Sequence, residues 1–314
     1  MTCLYYSHED CLLHDTGLNH PENAARLQAI QQRLSDPHFK SLQPVPAPLP
    51  DDIEEKLALI HTPAMISKVL QGMPAQGLTH FDPDTVASPG SRIAALRAVG
   101  AACDAVDRIL NGPAKRAFCA VRPPGHHAMP GYPMGFCLFN NIAIAAEYAR
   151  QHYGLARIAI VDFDVHHGNG TQAAFNQQPQ IMYASSHQWP HYPGSGDTTE
   201  QGVGNIINVP LAAGTTGATF RAQYRDILLP AVKAFKPELL FISAGFDAHR
   251  DDPLASLNLL EGDFRWVTEE LVSIANACCN GRVISCLEGG YNLKALAASV
   301  AAHVTVLAEL NGGE

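Results

Sequence analysis

Asp162, Asp164 and His166 follow one another at two-residue spacing in Ile158–Gly170, IAIVDFDVHHGNG, directly after the apolar run Ile158–Val161. So short an apolar run reads as a strand buried on both faces. Side chains at i and i+2 of a strand share a face, so the three groups should project together from its carboxyl end. Two adjacent carboxylates repel unless a proton or a cation lies between them. Carboxylate oxygen and imidazole nitrogen at this spacing are good ligands for a divalent transition metal, zinc above all. A solvated polar strand end is the plain alternative for one Asp-x-His.

Three more polar clusters follow apolar runs and weaken that alternative. Gly125–His127 comes after Ala117–Val121, Gly245–His249 after Leu239–Ser243, and Gly289–Asn292 after Val283–Leu287. Asp247 would make a third metal ligand, and three protein ligands with one open position is the arrangement of catalytic zinc. An imidazole from His126 or His127 could take a proton from water on such a metal. Tyr291, held by two glycines, could donate a hydrogen bond to a developing oxyanion. Together these groups describe a metal-assisted amide or ester hydrolase. A strand-end cap, a surface loop or an aromatic plug would each explain one cluster, but not all four at four strand ends.

The elements that must position them alternate. Strands are expected at Thr2–Tyr6, Ala117–Val121, Ile158–Phe163, Ile181–Ser185, Ile206–Val209, Leu239–Ser243 and Val283–Leu287. Helices are expected from Pro21 to about Leu34, from Thr62-Pro63 and from Ser88-Pro89 as N-cap and N1, then Asn140–His152, Thr219–Phe235 with a break at Pro230, Gly262–Asn280 and Leu293–Leu310. The proline-rich Gln43–Asp52 reads as an extended connection. This rhythm predicts an α/β fold with a parallel sheet and helices on both faces, in which ligands bind beyond the carboxyl ends of the strands. No internal repeat or linker divides the chain, so one domain, 1–314, is expected.

The 314 residues carry a net charge of −9 and no run of Lys or Arg, which disfavours nucleic acid as a partner. No apolar run spans a bilayer, and the start lacks the pattern of a secretory signal, so no membrane partner and a cytoplasmic location are expected. The 8 cysteines are scattered and read as reduced, mostly buried thiols.

The motifs RPPGHHA (Arg122–Ala128), GFCLFNN (Gly135–Asn141), VDFDVHHGNGTQ (Val161–Gln172), SAGFDAHRDDPL (Ser243–Leu254) and LEGGYN (Leu287–Asn292) closely resemble the histone deacetylase superfamily. HPENAARL (His20–Leu27) and DPDTVASPGS (Asp82–Ser91) resemble its class II branch and the bacterial histone deacetylase-like amidohydrolases. The resemblance covers nearly the whole chain. It implies the arginase–deacetylase fold around a mainly parallel eight-stranded sheet, and removal of acyl groups from lysine side chains.

By motif, it implies Asp164, His166 and Asp247 as zinc ligands. His127 becomes the general base, and His126 its partner, stabiliser or proton donor. Tyr291 becomes the oxyanion donor. Asp162 would orient His126, and Asn169 would orient His127. Class I relatives have Asp at the latter place, so a neutral Asn should leave His127 less basic. A structural potassium ion is implied at Asp162, Asp164, His166, Ser185 and Ser186, through the backbone at Asp164, His166 and Ser186. Phe136, beside Gly135, and Tyr192 match the walls of an acyl-lysine tunnel, where Phe is commoner than Tyr at the second place. Asp82 and Asp84 are alternative rim acids. Cys137 should be buried and inert.

Three rivals differ in their requirements. An arginase-type two-manganese site needs Asp two residues after the His of Asp-x-His, where this chain has Gly168. A polyamine deacetylase of the class II branch carries Glu after the Asp-Pro that here is Asp252-Pro253, and this chain has Leu254 there. A silent acyl-lysine reader would lack Tyr291. The substrate is therefore expected to be an acyl-lysine peptide or protein, with a small acylated amine as alternative. The oligomeric state stays open.

Overall fold

The computed structural model of the protein describes residues 3–310. Thr2, expected to open the first strand, lies outside them. In chain order the strands are β1 (Cys3–Ser7), β2 (Gln43–Pro46), β3 (Thr79–His80), β4 (Val86–Ala87), β5 (Arg116–Cys119), β6 (Ile158–Asp162), β7 (Ile181–Gln188), β8 (Ile206–Leu211), β9 (Leu239–Ala244) and β10 (Val283–Leu287). The helices are α1 (Ala25–Leu34), α2 (Ile53–Leu57), α3 (Pro63–Gln71), α4 (Ser91–Asn111), α5 (Asn141–Tyr153), α6 (Asn169–Phe175), α7 (Gly217–Gln223), α8 (Leu229–Phe235), α9 (Glu261–Cys278) and α10 (Leu293–Leu307).

Eight strands form one sheet in the order β2-β1-β5-β10-β9-β6-β7-β8, and every pair is parallel. β3 and β4 make a separate antiparallel hairpin. Strands β5, β6, β7, β9 and β10 are buried along their whole length, as short apolar runs covered by helices must be. The four strands that precede the polar clusters, β5, β10, β9 and β6, are neighbours at the middle of the sheet. Their register brings Asp162 beside Ser243, and Leu287 beside Ala244. The segments that leave these ends start nearly level and face one crevice.

Several expected boundaries moved for identifiable reasons. Thr62 caps α3 as expected, its side chain accepting from the Met65 N–H. Ser88-Pro89 does not open α4. The Ser88 hydroxyl instead accepts from the Asp15 N–H, and the helix begins at Ser91 behind Gly90. Pro21 does not open α1, because Glu22 and Asn23 are drawn into loop hydrogen bonds, and the helix starts at Ala25. The helix does not break at Pro230: its backbone stays helical from α7 into α8, and the irregularity is a π-helical turn, Tyr224–Leu228, just before the proline. The proline-rich connection adds β2 to the sheet edge before running on extended.

That edge is unusual. The Ala47 N–H donates to the Ser7 carbonyl, so odd-numbered residues of β2 face β1. Pro44 and Pro46 therefore stand where an N–H would point away from the sheet. At the other edge the Trp189 N–H donates to the Leu211 carbonyl, which turns Pro210 of β8 outward too. Proline at such positions removes the donors that an open edge would display. No helix among the described residues is long and apolar enough to cross a membrane. All eight cysteines are free thiols, and all but Cys278 are buried.

Candidate active site

Beyond β6 the chain turns sharply, and its polar side chains bond the backbone of the same turn. The Asp164 N–H donates to Asp162 Oδ1 at 3.1 Å, and the His166 N–H to Asp164 Oδ1 at 2.8 Å. From the loop after β9, Asp247 joins them. His166 Nδ1 stands 3.1 Å from Asp164 Oδ1 and 3.2 Å from Asp247 Oδ2. Ligand atoms of the three residues lie within 4.8 Å of one another, all buried. The Gly289 N–H holds the other Asp164 oxygen at 2.7 Å, and the Val165 N–H holds the other Asp247 oxygen at 2.9 Å. Each carboxylate is thus fixed from behind with one oxygen turned to a common point. Two buried carboxylates and one imidazole nitrogen, held this closely, fit a single divalent transition metal. Burial and then the charge of Asp164 push the Asp247 carboxyl up to about 7, a repulsion that a cation would relieve.

Two glycines are fixed by close approach. A Cβ at Gly289 would lie 2.0 Å from Asp247 Oδ2 and 2.6 Å from Asp164 Oδ2. A Cβ at Gly168 would lie 2.4 Å from the Tyr183 hydroxyl and 2.5 Å from Asp162 Oδ2. The place where a second metal would need a further carboxylate has no room for a side chain.

His126 and His127 leave β5 through the turn at Gly125, whose N–H, with that of His126, donates to Glu288 Oε2 at 2.7 and 3.1 Å. The rings sit 4.1 Å apart and have different partners. His126 Nδ1 faces Asp162 Oδ2 at 3.0 Å, an oxygen that also accepts from the Tyr183 hydroxyl at 2.9 Å. Burial draws the His126 imidazole down, but Asp162, Asp164 and Glu288 outweigh it and carry it up to about 10. His127 Nδ1 faces Asn169 Oδ1 at 2.7 Å. The Asn169 amide donates to the sulfurs of Met129 and Met134, both at 3.2 Å, which fixes its oxygen toward the ring. Nδ1 must then carry the His127 proton, leaving Nε2 as a proton acceptor. Burial, then His126 and His166, hold this imidazole well below its ordinary range. A divalent cation at Asp164, His166 and Asp247 would push the His127 ring further down and draw the His126 ring back from its raised value.

Tyr291 reaches the same crevice from the loop after β10. Its backbone N–H donates to Asp252 Oδ2 at 2.7 Å, and Asp252 Oδ1 accepts from the Leu254 N–H at 3.0 Å. One buried carboxylate therefore joins the tyrosine loop to the Leu254 loop. Arg26 of α1 donates to the Gly290 carbonyl at 2.6 Å and lays its guanidinium 5.0 Å from the Tyr291 ring centre. Burial and the nearby carboxylates keep the phenol well above its ordinary range, hence protonated.

A cavity of about 230 Å³ opens onto these groups. His126, His127, His166, Gly135, Phe136, Tyr192, Leu254, Asp84 and Tyr291 all line it. Phe136 holds positive φ, 68°, and meets the Tyr291 ring edge-on at 5.8 Å. Tyr192 meets His127 edge-on at 5.2 Å. Of the two rim acids, only Asp84 lines the cavity. Asp82 Oδ1 instead accepts from the Asp84 and Thr85 N–H groups and shapes the hairpin tip between β3 and β4. Ser185 is the register partner of Asp162. Its hydroxyl contacts His187, and that of Ser186 contacts Tyr224. His167 turns from the cavity to Ser195 and Gln172. Cys137 is buried, as expected.

Sequence reasoning missed Glu288, Arg26 and Asp252. Each lies within a motif named above, and each was a buried charge waiting for a reason. Glu22, between Arg26 and Arg122 and fully buried with both, belongs to the same group. A charged residue on the apolar face of a helix was the available signal for Arg26.

A family model described as the histone deacetylase domain matches residues 20–307. Histone deacetylase 14, chloroplastic, of Arabidopsis thaliana is 37% identical over 95% of this chain and 75% of its own length. The polyamine deacetylase HDAC10 of Mus musculus is 39% identical over 81% of this chain, but only 40% of its own length is matched. The crystal structure of the HDA15 HD domain superposes with a TM-score of 0.91 at 35% identity, covering 98% of this chain and 88% of that one.

Proposed function

The chain belongs to the histone deacetylase family, and from that premise we propose that it is a single-domain zinc-dependent amidohydrolase of the class II kind, removing acetyl or related acyl groups from lysine side chains. One observation carries the proposal: Asp164, His166 and Asp247 converge beside His126, His127 and Tyr291 at the base of one cavity with aromatic walls.

Held by the three ligands, the metal would polarise the acyl carbonyl and acidify a water. His127, with Nδ1–H committed to Asn169, takes the proton of the attacking water at Nε2. His126, drawn toward the imidazolium by Asp162, stabilises charge beside it and can return a proton to the leaving amine. The Tyr291 O–H donates to the oxyanion as it forms. Phe136 and Tyr192 hold the lysine methylenes and exclude water, and the Asp84 carboxylate accepts from the substrate backbone N–H.

A structural potassium ion at Asp162, the backbone of Asp164, His166 and Ser186, and the Ser185 hydroxyl belongs to the same proposal, supported by the pairing of Asp162 with Ser185 across β6 and β7. The free cysteines suit a reducing compartment, and the cytoplasm is the proposed location.

The mouse relative makes acetylated polyamines the second reading. Against it, the cavity lining carries one acid, Asp84, and the apolar Leu254. The test is hydrolysis of an acetyl-lysine peptide beside an acetylated polyamine, with and without a chelator, on protein of known metal content. One divalent metal per chain, chelator-sensitive turnover and preference for the peptide are expected. Two equivalent transition metals per chain, or turnover indifferent to the chelator, would overturn the proposal.

A further inference from the structure

Tyr291 stands on a peptide unit that is clamped from both sides. The Gly290 carbonyl accepts from Arg26 at 2.6 Å, and the Tyr291 N–H donates to Asp252 Oδ2 at 2.7 Å. Gly290 holds φ at 117°, and a glycine gives the backbone there few steric restraints of its own. The clamps must supply them. The phenol lies at the far end of the side chain, so a small turn of this peptide unit becomes a larger displacement of the hydroxyl. A misplacement of about 1 Å can cost about a hundredfold in rate.

Asp252 holds more than that unit. Its Oδ2 also accepts from the Asn292 N–H at 3.3 Å, and its Oδ1 accepts from the Leu254 N–H at 3.0 Å. Its own N–H donates to the His249 carbonyl at 2.9 Å, and the Asn292 side-chain amide donates to the Asp251 carbonyl at 3.0 Å. The residue is 7% exposed, so water competes little for these contacts. Tyr291 and Leu254 both line the cavity, and Asp252 stands behind them. A carboxylate offers two acceptor oxygens and no donor, which is what N–H groups arriving from two loops require.

We propose that Asp252 is a positioning residue that sets the oxyanion donor Tyr291 and the cavity wall at Leu254 as one unit. This rests on the deacylase reading of the site. The wall that fits the substrate chain and the phenol that serves its carbonyl then have one anchor, although 37 residues separate them in the sequence. The two oxygens divide the task. Oδ2 fixes the phenol through Tyr291 and Asn292, and Oδ1 fixes the wall through Leu254.

The test uses Asp252→Ala and Asp252→Asn on the metal-loaded protein. The alanine variant loses both anchors, and kcat for an acetyl-lysine peptide should fall about ten- to a hundredfold. In Tyr291→Phe protein, where the donor is already gone, the same change should cost less than about threefold. Two hydroxamates read the wall: one with an alkyl linker that fills the cavity, and acetohydroxamate, which has none. The ratio of their Kd values should narrow at least about fivefold in the alanine variant, with acetohydroxamate affinity kept. An asparagine has one acceptor oxygen, and its best place is where the Tyr291 and Asn292 N–H groups meet. Its NH2 then opposes the Leu254 N–H. Asp252→Asn should therefore recover kcat relative to alanine but not the preference for the linker. A full loss of kcat in the Tyr291→Phe background, an alanine variant within about twofold of wild type, or equal weakening of both hydroxamates would overturn the proposal. Should the alanine variant fail to fold, the asparagine variant decides: loss of the linker preference alone upholds the anchor, and an unchanged ratio overturns it. Wild-type protein that hydrolyses no acyl amide would sink the deacylase reading, and the hydroxamate ratio would still decide whether Asp252 holds the wall.

Discussion

At the scale of single residues, the two neighbouring histidines divide the work through the atoms behind them. Asn169 has no charge to give His127, so replacing it by Asp places an anion where an amide oxygen now sits 2.7 Å from Nδ1. That should raise the imidazole by about one to two pH units. A general base must be deprotonated, so the rising acid limb of kcat/KM should move to higher pH by the same amount. A limb that stays in place would remove His127 from that role. Tyr291→Phe keeps the ring against Phe136 and deletes the donor. Turnover should fall by a factor of about 10² to 10³, roughly 3–4 kcal/mol, while a hydroxamate chelator still binds. Near-normal turnover would refute the oxyanion assignment. Leu254→Glu should shift the ratio of kcat/KM toward an acetylated polyamine, because a carboxylate at an effective dielectric near 20 attracts a second ammonium by up to a few kcal/mol before desolvation is subtracted. An unchanged ratio would show that this position does not face the substrate.

At the scale of elements, precision comes from loops fixed at the level ends of four adjacent strands. Gly289→Ala tests this without touching a ligand. Its methyl group would collide with the oxygens of Asp164 and Asp247, and displacing them should weaken metal binding at least tenfold, as supporting contacts to metal ligands commonly do. Metal titration into stripped protein reads this directly, and unchanged affinity would mean that the carboxylates are not held as described. These loops also show what was legible in advance. The strands were readable because a buried parallel strand is a short apolar run with a polar stop, and the ligands were readable because they stand at that stop. Asp84 could not be told from Asp82 in the sequence. The choice depends on a hairpin whose strands are two residues each, too short to leave a periodic signal. α6 was missed because Asn169 and Gly170 open it as readily as they would a turn. Arg26, Glu288 and Asp252 act through backbone groups remote in sequence, and no spacing rule reports such partners.

At the scale of the whole molecule, stability should depend on buried histidines that do not line the cavity. His303 of α10 is fully buried, with Nδ1 2.7 Å from the Thr268 hydroxyl and Nε2 2.9 Å from the Ser285 hydroxyl. Thr268 already donates to the Phe264 carbonyl, so His303 donates through Nδ1 and accepts through Nε2. Burial opposes a second proton on the ring and holds it down to about 3. His61, 2% exposed, is held down to about 4 by burial. Folded pKa values below the unfolded value near 6.5 mean that the unfolded chain binds more protons between those limits. The stabilisation is complete above about pH 6.5 and is lost as pH falls toward 4, with on the order of 3 kcal/mol at stake per histidine. Urea midpoints should hold from pH 7.5 to about 6.5 and then fall steadily toward pH 5, and His303→Gln should flatten the profile. A wild-type profile already flat would contradict the buried neutral state. The prolines at the two sheet edges act at this scale as well. Pro44 and Pro46 on one side and Pro210 on the other interrupt the row of amide hydrogens that an incoming strand would need. The eight-stranded array thus carries imino acids at both of its ends, which disfavours templated growth there by another chain.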